Sequence, residues 1–322
     1  MIWMKVEDSS KSKAAGQKAE NKSPAPKAGP LSKLKFPELP VKQAITIPLI
    51  AVAIAILIVG FTWLTTGSPL HLGLDFQGGT MVTIKTDKTD QQLKEEFSDY
   101  PLKIISHGSG GEKSLRFSKM DGPQLQDLAA YVNKNYGSAI IDNIGSTFSQ
   151  ANQAQAAIGI LAAFGGMALM VFIIFRNIVP SIAVILAAFS DIVCAAALMN
   201  VFGIELTFGT FAALLMLIGY SVDTDILLTT KVLGERKYID KKIASCRATG
   251  LTMTFSAIIA FVVLYIVSSY AYLIGLSTIP VLANISTVMI FGLVADVFTT
   301  WFLNAGILRW YMDTPEAKAK YG

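Results

Sequence analysis

The sequence has little charge and almost no cysteine, and each shortage excludes something. Lys, Arg, Asp and Glu make up 16% of the 322 residues, against roughly a quarter in ordinary soluble domains. A water-facing surface around most of the chain is therefore excluded. The two cysteines are Cys194, inside an apolar run, and Cys246, just before another. Neither lies in the long hydrophilic segment, so no disulfide framework is implied. There is no CxxC or HExxH spacing, hence no metal site to read. His71 and His107 stand singly in the hydrophilic segment and read as surface or structural residues. The absence of a GxxxxGK[ST] loop argues against direct ATP use, and that of a Ser, Cys and His constellation against covalent catalysis. The expectation is a non-enzyme without a cofactor.

What the chain has is apolar length. Hydrophobic residues are 52% of it, gathered into runs near the about 20 residues that a helix needs to cross a hydrocarbon core about 30 Å thick. Residues 1–44 carry nine Lys and four acids with no apolar periodicity, the composition of a disordered tail. The first span, 45–64, comes too late for a signal peptide and lacks a small-residue cleavage site, so it should stay as an anchor. A polar segment follows, 65–150, and then five runs at 154–175, 179–199, 206–230, 251–268 and 279–308. The fold class expected is an α-helical membrane protein of six spans in a 1 + 5 arrangement, with an extracytoplasmic domain between the first and second. A five-helix bundle would occupy 151–310 and a short tail 311–322.

Basic residues set the orientation. The loop KVLGERKYIDKKIASCR after the fourth span has six Lys and Arg, whereas NVFGIE and SYAYLIGLST, after the third and fifth, have none. The positive-inside rule then places both termini in the cytoplasm of a multi-pass cell-membrane protein, with 65–150 outside. The tail is expected to be solvated and to bind no nucleic acid.

The outer segment reads as a small α/β domain. TMVTIKT (80–86) alternates as a strand does, and TDQQLKEEFSDY (89–100) opens on a capping residue and continues as a helix. PLKIISH and KSLRFSK are short strands around the Gly-rich GSGGE. DGPQLQDLAAYVNKNYG (121–137) begins with a cap and ends on glycine, and SAIIDNIGSTF supplies a last strand. The order β-α-β-β-α-β is the ferredoxin-like split arrangement.

Acids inside the spans are few: Asp191, Asp223, Asp225 and Asp296, with Arg247 just before the fifth. A charged Asp at mid-bilayer costs about 2.5–3.5 kcal/mol on insertion scales, so such residues face a bundle interior, pair, or mark ion paths. Measured from flanking basic residues, Asp191 and Asp296 lie roughly 20 Å from the inner surface and Asp223 roughly 12 Å. Asp225 is nearer that surface and about 200° around the helix from Asp223. One of the two can be functional and the other a cap or a partner for Arg247 or Arg236. Buried carboxyls can bind and release protons near neutral pH, which makes proton movement the functional reading and helix registration the structural one. Ala162 with Gly166, and Gly209 with Ala213, have the small-xxx-small spacing of close helix contacts.

Two motifs identify a relative. GLDFQGG (73–79), with Gly73, Asp75, Phe76, Gly78 and Gly79, follows the first span. Its glycines permit a tight backbone path, and no helix is expected to start there. The other is GYSVDTDILLTTKVL, with Gly219, Tyr220 and Ser221 ahead of the two acids. With the 1 + 5 topology these resemble the SecF family, one half of the SecDF protein-export accessory complex within the resistance-nodulation-division superfamily. The resemblance covers about residues 45–310. Bacterial members usually read GYSxND where this chain reads GYSVDTD, a pattern similar to the archaeal branch. The resemblance implies a protein that assists export through the SecY channel, with SecD, translocating preproteins and the lipid bilayer as partners and the proton gradient as energy source. By position it makes Asp223 and Asp225 candidates for the family's acid in span four, and Arg247 for an Arg opening span five. The competing expectations are a non-transporting assembly factor of the channel and a small-molecule efflux component. Against the latter stands a single outer segment of about 85 residues.

Overall fold

A computed structural model of the chain describes residues 40–137, 139–234, 238–274 and 278–321. Most of the tail expected at 1–44, and Arg236, lie outside the described residues. Six helices among those described are long and apolar enough to cross a membrane, as the sequence predicts.

The first is α1 (Val41–Thr66), ended by Gly67 at φ 77°. Beyond it comes α2 (Leu74–Gln77), a single helical turn where none was expected. The outer domain then runs β1 (Gly79–Lys85), α3 (Asp90–Glu96), β2 (Leu102–His107), β3 (Glu112–Phe117), α4 (Gly122–Tyr136) and β4 (Ile140–Ile144). Its sheet order is β2-β3-β1-β4, antiparallel throughout, which is the expected split arrangement. The helix starts follow local chemistry. Thr89 accepts from the Gln92 amide, and the Gln92 side chain reaches back to Thr89, forming a capping box on α3. Asp121 caps α4. One face of the sheet, Val82, Ile84, Leu115 and Phe117, packs on Leu93, Phe97, Leu128 and Val132, so the alternation of β1 and β3 is spent on covering two short helices.

The remaining spans are α5 (Ser146–Phe175), α6 (Ile178–Phe202), α7 (Phe208–Leu233), α8 (Ile239–Tyr270) and α9 (Pro280–Phe298). The last continues through a π-helical stretch, Thr299–Asn304, into α10 (Ala305–Met312), and α11 (Pro315–Tyr321) closes the chain. The expected loop after span four is mostly helix, because α8 begins at Ile239 rather than near 251. Lys, Ala and Arg in KKIASCR are good helix formers, and hydropathy alone does not register them.

The interior belongs to α6, α7 and α9, where Ala195, Met199, Ala213, Leu217, Val288 and Leu293 are buried together. The outer helices show large apolar side chains to their surroundings, among them Leu57, Leu64, Leu161 and Val263. Close approach depends on small residues. A methyl added at Gly209 would lie 2.8 Å from Val281, as the small-xxx-small reading of Gly209 and Ala213 requires. At Gly292 it would overlap Leu217, and at Gly250 the Trp301 ring. Ala162 and Gly166 face outward, and nothing among the described residues packs within 4 Å of a methyl at Gly166; that pair forms no contact among them.

Candidate functional site

The site is assembled from three helices. Asp191 on α6, Asp225 on α7 and Asp296 on α9 are each fully buried at 0% exposure. Ser221 Oγ and Thr299 Oγ1 each stand 2.5 Å from a different oxygen of Asp191, and both donate to it. Asp225 Oδ1 accepts from Asn304 Nδ2 at 2.8 Å and lies 2.9 Å from Thr300 Oγ1. The same hydroxyl is 3.1 Å from Asp296 Oδ1. Asp225 Oδ2 and Asp296 Oδ2 are buried without a protein partner among the described residues. The three acids are thus tied into one polar cluster inside the bundle.

Of the two acids for which an arginine partner was one expectation, Asp225 takes these neutral donors; Arg236 lies outside the described residues. Every hydrogen-bond partner of Asp191, Asp225 and Asp296 among the described residues is a neutral hydroxyl or amide. Arg247 is half-buried in the third turn of α8. Asp223, two residues from Asp225, is exposed, as the offset around the helix demands. The depth estimate separated Asp225 from Asp296 because it treated the spans as straight rods along one normal; packing brings the two to either side of Thr300.

Thr299, Thr300 and Asn304 escaped sequence reading, although a signal for them exists. They follow Asp296 at i+3, i+4 and i+8, the spacing of one helix face. All three belong to the π-helical stretch, a form that recurs at functional sites. Ser221, in contrast, lay within the motif already quoted.

The first motif works at the outer end of the same helices. Asp75 Oδ2 accepts from the Phe208 amide at 2.8 Å, so its carboxylate sits on the positive end of α7. Gly73 donates to Leu206 O at 2.8 Å, and Leu206 donates to His71 O at 2.7 Å. A Cβ at Gly73 would press on Leu206 O, which is why glycine is required there. Gly79 lies at φ 115°, where a side chain would strike the Phe117 carbonyl. Gly78, at φ 74°, closes the turn α2. Phe76 is buried against the rings of Phe208 and Phe211, and Asn152 on α5 donates to Asp75 O at 2.9 Å. In the second motif Gly219 is exposed, while Tyr220 OH donates to Met253 O on α8 at 2.9 Å.

Two further ties hold the outer domain to the bundle. Arg116 on β3 pairs with Glu205 in the α6–α7 connection, and Thr278 in the α8–α9 connection donates to Glu112. Those are the two connections that carry no basic residues, so they and the domain share one side. His71 contributes its backbone carbonyl to the contact with Leu206, and His107 makes an exposed pair with Asp90 at 3.0 Å.

The family model "Protein export membrane protein SecD/SecF, C-terminal" matches residues 124–314, and "SecD/SecF GG Motif" matches 63–90. A protein-export membrane protein SecF of Methanolacinia petrolearia is 42% identical over 84% of this chain and 94% of its own length. The protein of that name in Haloferax volcanii is 41% identical over 84% and 92%, and that of Pyrococcus furiosus 36% over 87% and 94%. A crystal structure of SecDF, a translocon-associated membrane protein from Thermus thermophilus, superposes on 87% of this chain with a TM-score of 0.72 at 16% identity. The chain spans 39% of that protein; at this identity the likeness is one of fold.

Proposed function

The chain belongs to the SecD/SecF family of protein-export membrane proteins, and we propose that it works as the SecF half of a SecD–SecF pair, using the proton gradient through its intramembrane carboxylates to assist export. It is a multi-pass membrane protein of SecF type. The single observation that carries the proton reading is the set of Asp191, Asp225 and Asp296, fully buried and held only by neutral donors among the described residues. An ionised carboxylate in such surroundings is expensive. Among the described residues the hydrogen bonds to these acids come from hydroxyls and an amide rather than a cation, so a proton is the natural means of changing their charge.

A route from that charge to the outside follows from the architecture. The helix that carries Ser221 and Asp225 is the one whose outer end is held by Asp75, next to the domain tied on by Arg116 and Glu205. A shift of α7 when Asp225 gains or loses a proton would be passed to the outer domain, which in this reading meets the emerging preprotein. Both termini are cytoplasmic in the same reading, the SecY channel is the neighbour, and SecD supplies the other half of the bundle.

The assembly-factor reading draws on the same hydrogen bonds, since Ser221 to Asp191 and Thr300 to Asp225 also register helices. Asn replacements at Asp191, Asp225 and Asp296 separate the two. Export by the variants is measured with an intact and with a collapsed gradient. Loss of the gradient-dependent part alone supports proton coupling. Normal, still gradient-sensitive export in all three rejects it, and poor accumulation of every variant favours the assembly factor. Recovery of SecD and the channel on purifying the tagged chain from its own membrane tests the partners.

A further inference from the structure

Thr300 is fully buried, and its hydroxyl oxygen stands 2.9 Å from Asp225 Oδ1 and 3.1 Å from Asp296 Oδ1. A threonine hydroxyl has one hydrogen and two lone pairs, so it can donate to only one of these oxygens. The other approach would set lone pair against lone pair in a site without bulk water, unless the second carboxyl brings a hydrogen of its own. We propose that Asp225 and Asp296 hold one proton between them and that the Thr300 hydroxyl hands it from one to the other. This rests on the carboxylates being the proton carriers, and it adds a positioning residue that neither sequence motif contains.

The neighbours decide where the proton starts. Asp225 Oδ1 already accepts from Asn304 Nδ2 at 2.8 Å, which favours the charged form on Asp225. Asp296 accepts from no amide among the described residues, and the group nearest its Oδ1 is the Thr300 hydroxyl, which favours the acid form there. Asp296 then donates to Thr300, and Thr300 donates to Asp225. In the transfer the Asp296 O–H breaks as a new O–H forms on Thr300, while the original Thr300 O–H breaks and its hydrogen bonds to Asp225. Two bonds break and two form, the hydroxyl is regenerated with its hydrogen turned the other way, and one negative charge moves from α7 to α9. The exchange proposed here does not involve Asp191, whose two oxygens accept from Ser221 and Thr299.

The test uses the full chain with its membrane partner in vesicles, and infrared absorption of protonated carboxyl groups. One such band should vanish in Asp296→Asn. In Thr300→Val the band should shift as the acid loses its acceptor, and gradient-dependent export should fall at least about tenfold while gradient-independent export is kept. Thr300→Ser should restore both. A band that persists unchanged in Asp296→Asn overturns the assignment, whether or not the Thr300 variants accumulate. Wild-type band and export in Thr300→Val overturn the relay alone, provided Asp225→Asn and Asp296→Asn lose gradient sensitivity. If those two also keep it, the proton reading itself fails.

Discussion

Glu96 in the outer domain and Asp225 in the bundle are both carboxylates with several partners, yet they are held in opposite ways. Glu96 takes the Lys88 ammonium at 2.8 Å and the hydroxyls of Tyr131 and Tyr136 at 3.0 and 2.8 Å. Burial works to raise its pKa, but the hydrogen bonds from Lys88, Tyr136 and Tyr131 outweigh it and hold Glu96 below the usual range. Lys88 is raised in return, chiefly by its bond to Glu96. The pair keeps its charges fixed across neutral pH. Asp225 takes a hydroxyl and an amide, partners that serve the charged form without compensating its charge. In the outer domain the acid is a fastener; in the bundle, on the reading proposed above, it changes state. Fixed and changeable charge are distinguished by the identity of the donor more than by depth of burial.

The widest way to break this contrast is to neutralise both kinds of acid and compare export. Asp225→Asn and Asp296→Asn should each reduce gradient-dependent export by about a hundredfold, the lower end of what a positioned proton donor or acceptor contributes. Glu96→Gln should leave it within about twofold. Equal losses would erase the distinction.

A smaller effect sharpens the bundle side. Thr299→Val removes one of the two donors to Asp191 and should cost about 1–3 kcal/mol, read as a lower melting temperature of the full chain in detergent. An unchanged melting point would mean that Asp191 does not depend on that hydroxyl.

The domain side has a pH signature. Because the folded pKa of Glu96 lies below its unfolded value of about 4.3, its contribution is complete above that value and is lost as pH falls through the folded one. Hydrogen exchange in α3, α4 and β3 of the full chain should speed up on acidification below about pH 4.3, and Glu96→Gln should remove most of that dependence at a cost of about 1 kcal/mol at neutral pH. Acid sensitivity unchanged in the variant would remove Glu96 as its source.

The smallest effect belongs to Asp223. Exposed on α7, its replacement by Asn should alter the stability of the purified chain by less than about 0.5 kcal/mol. A larger change measured by thermal unfolding would show that it has a partner within the chain.

Much of this was legible in advance. Six apolar runs and a β-α-β-β-α-β pattern follow from the lengths and periods of the sequence, and both are found. The capping residues Thr89 and Asp121 sit where their side chains reach unpaired amides. The start of α8 was misplaced because a helix can continue through basic residues where hydropathy stops. The turn α2 was missed because its four residues carry no period. Thr299, Thr300 and Asn304 were passed over because hydroxyl and amide groups in an apolar span raise no flag comparable to a charge, although their spacing after Asp296 marks one face.

By itself the sequence determined how many times the chain can cross a membrane and which segment forms the α/β domain, because segment length and periodicity act locally along the chain. Only the tertiary structure decided that Asp225 meets Asp296 through one hydroxyl, that Asp191 accepts from Ser221 and Thr299, and that Asp75 grips the outer end of α7. Those pairings join residues far apart in sequence, and they depend on how helices incline and how closely Gly209, Gly250 and Gly292 let them approach. No local rule contains that information.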